Sequence, residues 1–128
     1  DKGIKANIIL EGEHLYVAGD RDRLIQVLTN LLDNSIKHAA DNGNIRIQTK
    51  TRGKKVHVSI YNDGEPIKDE DIKAIWDRFY KGDRSRTNKV STGLGLPIVR
   101  NIITQFGEDI WVENKDQGVV FTFTLSIT

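Results

Sequence analysis

From Asp20 to about Ala40 the sequence keeps one helical period without a break, with Asn42-Gly43 to end it. On a helical wheel Leu24, Val27, Leu28, Leu31, Leu32, Ser35, Ile36 and Ala39 fill one broad arc, and Asp20 offers an N-cap oxygen in front of them. Such a helix needs an apolar surface to lie on. The next stretch supplies it: Ile45, Ile47 and Thr49, then Val56, Val58 and Ile60, alternate on either side of Arg52-Gly53-Lys54-Lys55. That is the pattern of a hairpin with one buried face, in the middle of a sheet. A period of 3.6 packed on a period of 2 predicts a helix layer over a sheet layer.

The remaining segments fit around this pair. Ile4 to Leu10 and His14 to Val17, parted by Glu11-Gly12-Glu13, predict a hairpin or two successive strands. Asp69-Glu70-Asp71 opens a short helix through Ile72, Ile75 and Trp76. Leu96, Ile98, Val99, Ile102, Ile103 and Phe106 predict a helix from Leu94 to Phe106, with Pro97 tolerated in its first turn. Ile110 and Val112, a turn at Asp116-Gln117-Gly118, and the run Val119 to Ile127 make a final hairpin. Residues 81–93 lack any apolar period, which marks a functional or disordered loop; residues 82–92 are expected to be poorly ordered without ligand.

Composition narrows the chemistry. The 128 residues have the size of one domain, 1–128, and contain no Cys, so disulfides, zinc-thiolate sites, iron-sulfur clusters and thiol nucleophiles are excluded. With 19 Lys+Arg against 18 Asp+Glu, bulk charge excludes a strongly basic nucleic-acid binder, and any anion site must be local. No apolar run reaches the roughly 18 to 20 residues of a membrane span. The chain opens on Asp1 and holds no Met, so it is expected to be a piece of a longer protein, any membrane attachment lying elsewhere.

Three polar constellations interrupt the apolar patterns. Asn30, Asn34, Lys37 and His38 form a narrow stripe beside the arc of the long helix. Asn is a poor helix former, which asks for a compensating role; an amide oxygen suits Mg²⁺, and Lys37 suits phosphates. Alone, the stripe reads first as a solvated face. Asn62-Asp63-Gly64-Glu65-Pro66-Ile67 follows a buried strand, where an amide or carboxylate can accept from an exocyclic amine and so separate adenine from guanine. Alone it is a polar turn. Thr92-Gly93-Leu94-Gly95-Leu96-Pro97 opens the last helix, where glycine permits close backbone approach and free N–H groups attract an anion. Upstream, residues 77–92 carry Arg78, Lys81, Arg84, Arg86 and Lys89 against only Asp77 and Asp83.

Taken in order, these segments resemble the motif series of sensor histidine kinases. Asn30 to His38 is similar to the N box, Asn62 to Ile67 to the G1 box, Ile75 to Lys81 to the F box, and Thr92 to Leu96 to the G2 box, over essentially the whole chain. The resemblance implies an α+β fold of the Bergerat type: a two-layer sandwich with a mixed sheet of about five strands, about three helices on one face and a flexible ATP lid. It implies that Asn34, with Asn30 beside it, holds Mg²⁺, and that Lys37 contacts phosphates, His38 standing where the family often has Tyr. It implies that Arg78, Lys81 and Arg84 reach the terminal phosphates, that Phe79 and Tyr80 belong to the F box, and that Thr92, Gly93, Leu94, Gly95 and Leu96 embrace the phosphates. Asn62, Asp63, Gly64 and Ile67 would face the base.

The G1 segment departs from the usual Asp-x-Gly-x-Gly. Register through Gly64 puts Asn62 at the adenine position and Pro66 at the second glycine; a shift by one residue would make Asp63 the partner instead. Alternation along Val58 and Ile60 favours Asn62. The implied activity is transfer of the γ-phosphoryl group of Mg-ATP to a histidine on a separate dimerisation domain of the same protein, with a response regulator downstream. The expected setting is the cytoplasmic part of a membrane-anchored sensor kinase, with no nucleic-acid partner and no direct membrane contact by this domain. None of His14, His38 and His57 has the setting of an acceptor, so the chain alone should bind ATP without phosphorylating itself. Alternatives are a degenerate nucleotide-binding regulatory module, consistent with Asn62 and Pro66, or an ATPase or serine kinase of the same superfamily, against which Phe79-Tyr80 argues.

Overall fold

A computed structural model describes residues 3–9, 17, 19–77 and 95–128. Its elements are β1 (Lys5–Ile9), α1 (Arg21–His38), β2 (Asn44–Arg52), β3 (Lys55–Asp63), two short 3-10 turns (Asp69–Asp71 and Ala74–Trp76), α2 (Gly95–Gln105), β4 (Ile110–Lys115) and β5 (Gly118–Ser126). The five strands form one mixed sheet in the order β1-β2-β3-β5-β4. β1 runs parallel to β2, and every other neighbouring pair is antiparallel. The expected α+β sandwich with a five-stranded sheet is observed.

Side-chain alternation decides which face receives the helices. Along β3, Val56, Val58, Ile60 and Asn62 are buried, while Lys55, His57, Ser59 and Tyr61 stand on the other face. The register sets Val56, Val58 and Ile60 against Leu125, Phe123 and Phe121 of β5. Onto this face α1 lowers Val27 and Leu31, and α2 lowers Val99, Ile102 and Ile103. Trp76 meets Phe121 edge-to-face, with centroids 5.8 Å apart.

Local chemistry sets the boundaries. Asp20 caps α1, its carboxylate accepting from the backbone N–H of Asp22 at 2.9 Å and of Arg23 at 3.3 Å. α2 ends on Gly107 at φ 76, with the Glu108 N–H returned to the Ile103 carbonyl at 3.0 Å. The β4–β5 hairpin turns through Asp116 and Gln117, both at positive φ (52 and 60), which matches the right-handed twist of the strands.

Four expectations are sharpened. β1 joins β2 in parallel, with α1 as the crossover between them, and Val17 bridges to Ile127; the expected hairpin or second strand falls on residues 10–16, which lie outside the described residues. The segment after Asp69 is helical, but as two successive 3-10 turns and not as α-helix. α1 stops at His38, where Ala39 turns extended (φ −67, ψ 150) to bridge Gly64. Ile36, placed by the wheel in the apolar arc, is 48% exposed: contact centres on the row Val27-Leu31-Ser35, and Ile36 falls on its outer flank.

Candidate functional site

The end of β3 meets the end of α1, and glycine makes the meeting possible. Gly64 (φ 134) pairs with Ala39; a Cβ there would lie 2.4 Å from the His38 carbonyl oxygen, so no larger residue fits. The Ala40 N–H donates to the Asp63 carbonyl at 3.3 Å, tying the same junction from the other side. This contact brings the Asn stripe of α1 to the strand end that carries Asn62.

Asn62 and Asp63 part company here. Asn62 is 1% exposed, on the helix-covered face with Val58 and Ile60. Its Nδ2 donates to the Asp63 carbonyl at 2.9 Å, which leaves Oδ1 as the acceptor of the amide. The Asp63 carboxylate belongs to the other face: Oδ2 accepts from the Asn44 N–H at 3.0 Å, fastening the start of β2. Its Oδ1 is buried without a partner among the described residues. The alternation read from the sequence therefore places Asn62, and not Asp63, beneath the helices.

On α1, Asn30 and Asn34 are half-buried while Lys37 and His38 are exposed. Ser35, between the stripe and the core, is fully buried, and its hydroxyl finds no partner among the described residues. A buried hydroxyl left unpaired asks for a missing partner, such as a water or a ligand. The two helices pack against each other, and Arg23 in the first turn of α1 donates to Gln105 in the last turn of α2. They are thus antiparallel, and the start of α2 at Gly95 is directed toward the C-terminal half of α1, where Asn30 and Asn34 stand. A Cβ at Gly95 would meet nothing within 4 Å, so the helix start is open. Leu96 packs on the core.

Ile67 rests partly against the core, and the Asn114 side chain holds its backbone on both sides. Arg78, Phe79, Tyr80, Lys81, Arg84, Thr92, Gly93 and Leu94, and with them the expected disorder of 82–92, lie outside the described residues. Across that stretch, the Arg100 guanidinium of α2 lies 5.6 Å from the centroid of the Trp76 ring. No group of three or more His, Asp or Glu among the described residues could hold a metal ion. Asn30 and Asn34 carry amide oxygens, which are hard donors.

Sequence reasoning missed Ser35 as a polar group, since it scored as a small member of the apolar arc. It also missed Asn114, whose partner is 47 residues away in sequence. No local pattern announces such a contact.

Comparison with known proteins bears on the family and the fold. Residues 19–128 match the family described as histidine kinase-, DNA gyrase B-, and HSP90-like ATPase. Sensor histidine kinase WalK of Bacillus subtilis (strain 168) is 34% identical over 120 residues, which are 91% of this chain and 20% of that protein. The chain thus spans about a fifth of that relative's length. The catalytic domain of histidine kinase ThkA, in a nucleotide-free form, superposes with TM-score 0.86 at 38% identity, covering 98% of this chain and 80% of that one. ThkA in complex with the response regulator protein TrrA gives TM-score 0.83 at 36% identity, over 99% of this chain and 35% of that one.

Proposed function

The chain belongs to the histidine kinase-, DNA gyrase B-, and HSP90-like ATPase family, and on that premise we propose that it binds Mg-ATP and donates the γ-phosphoryl group to a histidine on a separate dimerisation domain of the same protein. The observation that carries the proposal is the buried Asn62 amide near the end of β3, where the Gly64–Ala39 bridge ties the chain to the C-terminal end of α1. The unpaired Ser35 hydroxyl supports it, because a polar ligand at this junction would complete it.

Asn62 Oδ1 would accept from the exocyclic amine of adenine. Guanine presents a carbonyl at that place, so two acceptors would oppose each other and the base would be rejected. Asn34, with Asn30, would ligate the Mg²⁺, which keeps most of its waters and takes few protein ligands when phosphates supply the rest. Mg²⁺ supplies charge neutralisation across the phosphates. Lys37 would pair with the same phosphates, and the open start of α2 at Gly95 and Leu96 would offer them N–H groups. Arg78, Lys81 and Arg84, with Thr92, Gly93 and Leu94, would complete the cationic side.

Phosphoryl transfer asks a protein chiefly for positioning and charge, and no general base is needed on this domain because the acceptor imidazole is the nucleophile. A response regulator would then take the phosphoryl group from the histidine. Because the matched relatives are sensor kinases, we place the domain on the cytoplasmic side of a membrane-anchored protein. No helix among the described residues is long and apolar enough to cross a membrane.

Mixing the chain with its dimerisation domain and γ-labelled ATP tests the proposal. Acid-labile, base-stable label on the dimerisation domain is expected. Binding without transfer would support a second reading, a regulatory module that senses nucleotide, which Asn62 and Pro66 in the G1 segment favour; no binding at all would overturn both.

A further inference from the structure

The segment between β3 and the first 3-10 turn is held by one side chain. Asn114 Oδ1 accepts from the Ile67 N–H at 2.8 Å, and Asn114 Nδ2 donates to the Ile67 carbonyl at 2.7 Å. An amide thus reproduces the double exchange by which two facing residues of an antiparallel ladder bond each other, with no strand on the far side. Register says where this occurs. Asn62 of β3 lies opposite Val119 of β5, and Val119 lies opposite Asn114 of β4. The three residues form one row on the helix-covered face, with Asn62 and Asn114 two strand spacings apart, roughly 10 Å. The segment leaving Gly64 therefore arches over Val119 and is pinned on the far side by Asn114. Pro66 has no N–H to contribute, so Ile67 is the first residue after Gly64 and Glu65 with both backbone groups available to be held.

We propose that Asn114 is a positioning residue for the base-binding end of the site. Resting on the nucleotide reading above, the inference is that the clamp holds Ile67 at a set distance from Asn62, so that Asn62 and Ile67 face opposite edges of one adenine ring. Asn114 touches no ligand itself; it acts through the Ile67 backbone. Because it works on the base end, its loss weakens every adenine ligand alike, whatever phosphates that ligand carries.

Calorimetric titration of wild type and Asn114→Ala with ATP, ADP and adenosine tests this. Asn114 is exposed, so water competes for the same groups, and the expected loss is about fivefold for each of the three ligands. Asn114→Asp gives a second readout with the side chain's shape retained. At pH 7 its carboxylate meets the Ile67 carbonyl without a donor, and binding weakens. As pH falls through the carboxyl pKa, near 4 in the absence of perturbation, the acid proton restores the missing donor and the ratio of variant to wild-type Kd returns toward one. Unchanged affinity of Asn114→Ala in a wild type that binds ATP overturns the inference. So does a loss confined to ATP and absent with adenosine, or an Asn114→Asp ratio that ignores pH. A wild type that binds none of the three ligands overturns the nucleotide reading instead, so the two failures are distinguishable.

Discussion

The two ends of the sheet treat their polar groups in opposite ways. At the hairpin end, the Glu108 carboxylate is 4% exposed and fully engaged: it meets the Lys55 ammonium at 2.6 Å and the hydroxyls of Thr124 and Ser126 at 2.7 Å each. Burial alone would raise its pKa, but the hydrogen bonds from Lys55, Ser126 and Thr124 outweigh that and hold it below the ordinary 4.5. At the other end, the Ser35 hydroxyl, on the core-facing side of α1, is buried and unpaired among the described residues. A saturated network fastens strands; an unsaturated one is where a ligand has something to gain. The contrast distinguishes scaffold from site without appeal to sequence similarity.

Five substitutions break or sharpen this contrast. Gly64→Val drives a branched side chain into the His38 carbonyl at a left-handed φ, and the junction between β3 and α1 should open. Denaturant unfolding is expected to show a loss of about 3 kcal/mol or more, with ATP binding abolished; a variant that still binds would remove the junction from the site. Asn34→Ala, at a half-buried position, should leave the fold intact and abolish the Mg²⁺ dependence of ATP binding. Titration with and without Mg²⁺ decides it, and unchanged affinity overturns the metal role.

Glu108→Gln tests the saturated end. It should lower stability by about 1 to 2 kcal/mol and leave nucleotide affinity untouched, since the network lies at the far end of β3. The same residue predicts a pH effect. Its folded-state pKa is depressed, so its stabilisation is present above the unfolded value of 4.5 and is lost as pH falls from there through the folded value. Thermal melts of wild type should therefore decline across that acidic window more steeply than those of Glu108→Gln; parallel profiles would deny the network its role.

The smallest effect belongs to Asn62→Asp. A carboxylate strengthens the bond to an adenine amine, yet it forfeits the donor that Asn62 gives the Asp63 carbonyl and places a charge at a 1% exposed site. The free protein should lose about 1 kcal/mol while ATP binds several-fold tighter, so ATP should raise the melting temperature of this variant by more than that of wild type. Asp63→Ala should show the reverse, a stability loss at the start of β2 with little change in affinity.

Much of this was legible in the chain itself. Strict alternation through Val56, Val58, Ile60 and Asn62 announced both the buried face of β3 and the inward aim of Asn62, because a strand has no other periodicity to offer. The cap at Asp20 and the arc of α1 were equally plain. Ile36 was misread because a wheel shows which residues share an arc and not where its contact is centred. The pairing of β1 with β2, and the insertion of β5 between β3 and β4, leave no mark in the local pattern, since both depend on which edge is available once α1 and α2 have packed. Asn114 read as an ordinary polar residue near a turn, and Ser35 as a helix residue small enough for the core.

Sequence alone thus determined the layers, the inward row and the residue types that could meet a nucleotide, because these follow from periodicity and from chemistry carried within a few neighbours. Tertiary structure decided how the end of β3 is tied to α1, which groups are left unpaired there, and which side chain holds Ile67. Those outcomes arise from contacts between segments far apart in the chain, where the energy of a hydrogen bond depends on burial and geometry that only packing creates.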